Sequence, residues 1–189
     1  MSAFSSNVVW YLMRGSGVVS LVLLTAVLVL GIATLRRWRP ARMPRFVTAS
    51  LHRVVSLLAI VFLAVHIATA VADPYAVVGI AAAVVPFVAG RSAMWVGLGA
   101  LSADLTAALV ITSLLRGRIA PSLWRAVHWL AYAAWPLAVA HSFGVGSDSS
   151  SPWFELIGAV CVASVLGSVL WRVAVRAPAK HLEPRTVSA

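Results

Sequence analysis

Apolar residues run through this chain in long blocks, and the polar and basic residues gather between them. A hydrocarbon core needs about 20 apolar residues at roughly 1.5 Å per residue to be crossed by a helix. Five blocks reach that length: 8–35, 45–71, 93–115, 122–143 and 153–175, the last following the polar run "SDSSSP". Pro44 and Pro121 stand at the openings of the second and fourth, where a proline in the first helical turn costs no hydrogen bond. A sixth segment, 75–90, opens after Pro74 and is interrupted by Pro86. Its unbroken apolar part has the length of a re-entrant or interfacial helix, about 10–14 residues.

The charge pattern decides how these blocks are threaded. If 75–90 does not cross and the N-terminus lies outside, one side collects Arg36, Arg37, Arg39, Arg42, Arg45 and Arg53, then Arg116, Arg118 and Arg125, then Arg172, Arg176, Lys180 and Arg185. Only Arg14 and Arg91 stay on the outer half, with Asp73, Asp148 and Glu155. A crossing at 75–90 would turn the middle basic cluster outward, against the positive-inside rule. The expected fold is therefore all-α: an integral membrane bundle of about five transmembrane helices plus one short re-entrant or interfacial helix, N-terminus out and C-terminus in. Residues 1–175 form the membrane domain, and 176–189 a short basic cytoplasmic tail. Trp10, Tyr11, Trp95 and Trp153 fall at the outer ends and Trp38, Trp124 and Trp171 at the inner ends, as interfacial belts require.

Composition agrees: 61% of the 189 residues are hydrophobic, against about 45–50% in soluble domains. The net charge of +10 reflects topology signals rather than a nucleic-acid surface. The lone Cys161 provides no disulfide, no four-cysteine cluster and no covalent haem attachment, and reads as a small buried apolar residue. The first block lacks a basic leader and exceeds the core of a removable signal peptide. The loops are too short for a nucleotide-binding domain, and no glycine-rich dinucleotide fingerprint occurs.

Candidate chemistry lies in the histidines. "LHRVVSLLAIVFLAVHIA" carries His52 and His66, fourteen positions apart; "LWRAVHWLAYAAWPLAVAHS" carries His128 and His141, thirteen apart. His181 belongs to the polar tail. His52 follows Pro44 by eight residues and His128 follows Pro121 by seven, so both should lie at one depth, with His66 and His141 about 20 Å higher. Ionisable groups inside a membrane are functional candidates, and two imidazoles can clamp a haem iron from its two faces. A structural role, one hydrogen bond per histidine, is the plain rival. A metal-ion site is another, although neither level has carboxylates and the levels are too far apart for one tetrahedral site. The geometry leaves one difficulty. At about 100° per residue, fourteen steps leave His52 and His66 roughly 40° apart, but thirteen leave His128 and His141 roughly 140° apart. Pro136, between them, should kink or rewind that helix.

These two histidine-bearing segments resemble the paired-histidine helices of the ferric reductase-like transmembrane domain superfamily, which includes NADPH oxidases, ferric reductases and the bacterial haem-binding membrane subunit of a periplasmic methionine-sulfoxide reductase. The resemblance extends from about Trp10 to Trp171. It implies two b-type haems, His52 with His128 on the inner iron and His66 with His141 on the outer, and electron flow from a cytoplasmic donor to an outer acceptor. The family core often has six helices, and many members carry fused flavin and nicotinamide domains that these 189 residues do not contain. Any flavin is then expected on a partner. The donor is a separate flavoprotein or a quinol, and the location a bacterial cytoplasmic (inner) membrane.

Supporting residues follow. Haem propionates want cations near the membrane surface: Arg53 and Arg125 are candidates at the inner level, or plain topology anchors. Arg14, in "YLMRGSG" on the cation-poor side, is the outer candidate, or it snorkels to headgroups; Gly15 and Gly17 beside it admit close approach. Asp104, mid-way along the third block, is a protonated, hydrogen-bonded carboxyl, a proton route or a partner of Arg14. Phe62, Trp129, Tyr132 and Trp135 pack on porphyrin, between the levels or in ordinary core. Two further functions fit the pattern: a quinone-linked haem anchor of a larger redox complex, and a small proton-coupled transporter without haem.

Overall fold

The computed structural model describes residues 3–35, 45–76, 78–145 and 148–174. The arginine-rich loop with Trp38 and Pro44, and the tail with His181, lie outside these residues. Every described element is a helix: α1 (Ala3–Leu35), α2 (Arg45–Ala72), α3 (Ile80–Val84), α4 (Ala93–Leu114), α5 (Pro121–His128), α6 (Ala131–Val145) and α7 (Pro152–Ala174). Among them α1, α2, α4 and α7 contain unbroken apolar spans, Asn7–Thr34, Val47–Ala72, Ala93–Leu114 and Pro152–Ala174. The chain is an integral membrane protein.

α1 is the organising helix. It packs most extensively on α2 and also meets α6 and α7, while α4 packs against α6. Its inward positions Ser16, Ser20, Leu21, Thr25, Leu28 and Ile32 are nearly inaccessible, which places small and hydroxylated residues where backbones come close. The hydroxyls are satisfied within the helix. Ser20 donates to the Ser16 carbonyl (2.7 Å) and Thr25 to that of Leu21 (2.8 Å), so neither hydroxyl is orphaned in an apolar medium. Leu28 and Ile32 join Val165 of α7 in a core that Tyr132 and Trp135 of α6 cover. Among the described side chains of α2, only Ala59 is fully buried. Its Leu51, Val54, Leu57, Leu58, Val61 and Val65 are exposed, an apolar face suited to lipid.

One feature departs from the pattern read in the sequence. The 122–143 block is not one continuous span. It divides into α5 and α6 at Trp129–Leu130, leaving four unbroken spans where five were expected. The break precedes Pro136, which sits inside α6. There the bonding tightens to three-residue steps: Leu130 N–H donates to the Val127 carbonyl (2.9 Å), Tyr132 to Trp129 (3.1 Å) and Ala133 to Leu130 (2.9 Å). Each such step turns about 120° rather than 100°, which recovers part of the angle separating His128 from His141. Pro136 also has no N–H for the Tyr132 carbonyl, so the first turn of α6 is loosened from both sides.

The 75–90 segment does not cross. Among its described residues the one helix is the five-residue α3, a length of about 7.5 Å. Beyond it the chain turns at Phe87, whose φ of 69° is unusual for a bulky residue. The Phe87 ring and backbone occupy the notch left by Gly97 of α4, which holds the turn against that helix.

Candidate functional site

The histidines of α2 turn toward α1, and that of α6 toward α4. His66 Nδ1 donates to the Met13 carbonyl (2.8 Å), His52 Nδ1 to the Val27 carbonyl (3.2 Å) and His141 Nδ1 to the Trp95 carbonyl (2.9 Å). A carbonyl can only accept, so the proton in each ring sits on Nδ1 and the lone pair on Nε2. Three of the four imidazoles are thus in the tautomer that ligates through Nε2.

At the outer level the rings of His66 and His141 meet across the bundle with centroids 6.2 Å apart and planes inclined at 78°. A metal–imidazole nitrogen bond is about 2 Å, so two imidazoles on opposite sides of one metal ion hold their centres about 6 Å apart. The rings line a cavity of about 510 Å³ that also takes in Arg14, Arg91, Asp73 and Asp148. That volume falls in the usual range for cofactor sites, about 300–1,000 Å³.

The inner level is built differently. His128 is the last residue of α5, next to the helix break. Its ring stacks on Trp124 at 4.7 Å and 25°. Arg116 in turn lies over the Trp124 ring at 4.4 Å. The His128 Nδ1 and Trp124 Nε1 are buried with no hydrogen-bond partner among the described residues.

The remaining candidates are placed as follows. Arg14 forms an ion pair with Asp148 and lies over Trp10 at 4.3 Å. Arg53 and Arg125 are exposed, and Asp104 is half-buried within α4. The Trp135 Nε1 donates to Thr25 Oγ1 (2.9 Å); Thr25 stands about midway between Gly17 and Gly31, so this indole lies between the two levels. Tyr132 accepts from Arg172, whose guanidinium also covers Trp129 at 4.9 Å. Phe62 is half-buried on α2, and Cys161 is buried on α7.

Sequence reading missed the seats of the rings. A Cβ at Gly17 would come 2.9 Å from His66 Nδ1, one at Gly99 2.5 Å from His141 Nδ1, and one at Gly31 3.5 Å from His52 Cε1, whereas Gly15 faces open space. One signal was present: Gly17 and Gly31 are fourteen residues apart, the same interval as His52 and His66 on the antiparallel neighbour.

Long apolar helices with histidines among them, two of whose rings meet across the bundle, define a helical membrane protein. The model of the ferric reductase like transmembrane component family matches residues 16–139, and the chain belongs to that family. The match includes His52, His66 and His128 and stops two residues short of His141. Membership points to electron transfer across a membrane as the general activity, and domains of this family typically bind haem. No curated protein and no solved structure showed significant similarity to the chain.

Proposed function

We propose that this protein transfers electrons across a membrane through two b-type haems. His52 and His128 would ligate the inner iron, and His66 and His141 the outer. The observation that carries the reading is the outer pair: two imidazoles at the separation one metal ion requires, each with Nδ1 engaged and Nε2 left to ligate. Haem, when bound, supplies one-electron chemistry; the chain supplies ligands, an apolar sheath and alignment of the two levels.

In this reading α5 and α6 together form a fifth, broken span, with the N-terminus outside. Arg14 stands on the outer cavity wall as a cationic partner for propionates, and Arg53 and Arg125 serve the inner level. The arginine-rich inner face receives a donor, a separate flavoprotein or a quinol, and an acceptor docks outside. A bacterial cytoplasmic membrane is the setting that suits this arrangement.

An absorption spectrum of purified protein, oxidised and reduced, with haem stoichiometry, tests the proposal. Two b-type haems per chain are expected. The near-perpendicular outer rings add a signature: a strongly anisotropic low-spin ferric resonance, because crossed imidazole planes leave two iron d orbitals close in energy. A colourless protein would refute the reading.

A further inference from the structure

We infer that Gly17, Gly31 and Gly99 are positioning residues, each part of one repeated device that sets the tautomer and tilt of a histidine. The inference rests on the haem reading for its role and on geometry for its existence. The accepting carbonyls belong to Met13, Val27 and Trp95, and each lies four residues before one of these glycines. In an α-helix the carbonyl of residue i already accepts from the N–H of residue i+4. The Cβ of that residue then helps to shield the carbonyl from the side. Glycine at i+4 removes the shield, so an imidazole on the next helix can lie flat in the notch and donate Nδ1–H as a second bond to the same oxygen. The device occurs twice on α1, facing α2, and once on α4, facing α6.

Its chemical effect is specific. A free neutral imidazole prefers its proton on Nε2, the atom that must be bare to ligate metal. The carbonyl reverses that preference before any metal arrives and raises the basicity of the ligating nitrogen. His128 has no such seat: its Nδ1 lacks a partner among the described residues, and its ring is held by stacking on Trp124. The outer level is therefore fixed on both sides and the inner level on one.

Glycine-to-alanine substitutions in the full-length protein test the device, with Gly15→Ala as the matched control on the same helix. Glycine is a poor helix former, so a general helix effect would leave every variant at least as stable as wild type. Steric displacement predicts the opposite and ranks the variants. Gly99→Ala and Gly17→Ala should lower outer-site occupancy about 10–100-fold, as loss of a hydrogen-bonded support does at metal sites, and should abolish the anisotropic outer resonance. The inner resonance should persist in both, which shows that the protein is folded. Gly31→Ala, with an ordinary 3.5 Å contact, should only shift the inner signal, and Gly15→Ala should match wild type. Unchanged outer signals in Gly17→Ala and Gly99→Ala, equal damage in Gly15→Ala, or equal loss at both levels would each overturn the inference. If the wild-type protein carried no haem, the functional reading would fall and nitrogen-15 spectra of histidine-labelled protein would decide this one. Protons on Nδ1 of His52, His66 and His141 support it; protons on Nε2 refute it.

Discussion

The His66/His141 and His52/His128 pairs draw the same residue type from the same two segments of the chain, yet their rings are held by different means. At the outer level both rings come from within helices, α2 and α6, and each donates to a backbone carbonyl of the helix beside it. At the inner level His52 is anchored in this way, but His128 ends α5 at the break and leans on an indole. A continuous helix offers its neighbour a rigid ladder of carbonyls. A broken one gives up that precision and gains freedom to adjust. Backbone carbonyls hold His66 and His141, whereas only His52 of the other two histidines is held in this way.

The largest effect should come from removing a ligand. His66→Ala and His141→Ala should each eliminate one of two haems and halve the reduced absorbance, leaving the inner resonance in place; His52→Ala should do the reverse. Haem stoichiometry with electron paramagnetic resonance measures both. If an outer substitution emptied the inner level as well, the two would be one cooperative unit and the comparison would fail.

Removing the support of His128 should cost less. Trp124→Leu eliminates the ring stack at 4.7 Å. An aromatic pair contributes about 0.5–1.5 kcal/mol beyond its burial, so inner-haem affinity should fall about 2- to 10-fold while the outer level is untouched. Titration of haem-depleted protein with haem reads the change. No change at the inner site would mean that His128 is positioned by something other than this indole.

How far the sequence already disclosed this arrangement depends on the kind of interaction. Block lengths were legible because lipid enforces them: α2 begins at Arg45 and α4 at Ala93 as the apolar runs require. The non-crossing 75–90 segment was legible from two prolines and from the charge balance. The break at Trp129–Leu130 was not, because Pro136 drew attention to itself while tertiary packing placed the discontinuity earlier. The approach of His66 to His141 could be anticipated from spacing, and their rings stand 6.2 Å apart. The glycine seats could not be found from one helix alone, since the fourteen-residue interval of Gly17 and Gly31 has meaning only beside the antiparallel interval of His52 and His66. Arg14 was expected near the outer site, and it lines that cavity; its ion pair with Asp148, across more than a hundred residues, had no signature in the chain.

A smaller effect tests what lies between the levels. Trp135 donates to Thr25 on α1, and neutral hydrogen bonds of this kind contribute about 0.5–1.5 kcal/mol. Trp135→Phe keeps an aromatic ring but loses the donor, so the melting temperature should fall by a few degrees with both haems retained. The same loss should appear in Thr25→Val, and the double variant should lose no more than either single one if the bond is the shared cause. Fully additive losses would show that the indole is held by packing alone.

The smallest effect is expected at the rim of the outer cavity, where Arg14 and Asp148 pair with side chains 16% and 36% exposed. Partial exposure lets water and salt screen the attraction, so the coupling should lie near the value for surface pairs, about 0.2–1 kcal/mol. A double-mutant cycle with Arg14→Gln and Asp148→Asn, read by thermal unfolding, isolates it. The coupling should shrink as ionic strength rises, because the screening length falls from about 10 Å at 0.1 M salt to about 3 Å at 1 M. The singles should also differ in haem content. Arg14→Gln removes a cation from the cavity wall and should weaken outer-haem retention, whereas Asp148→Asn frees that cation and should not. Equal effects of the two singles on haem would mean that Arg14 serves only to tie the loop before α7 to α1, and the outer level would then owe its rigidity to its backbone seats alone.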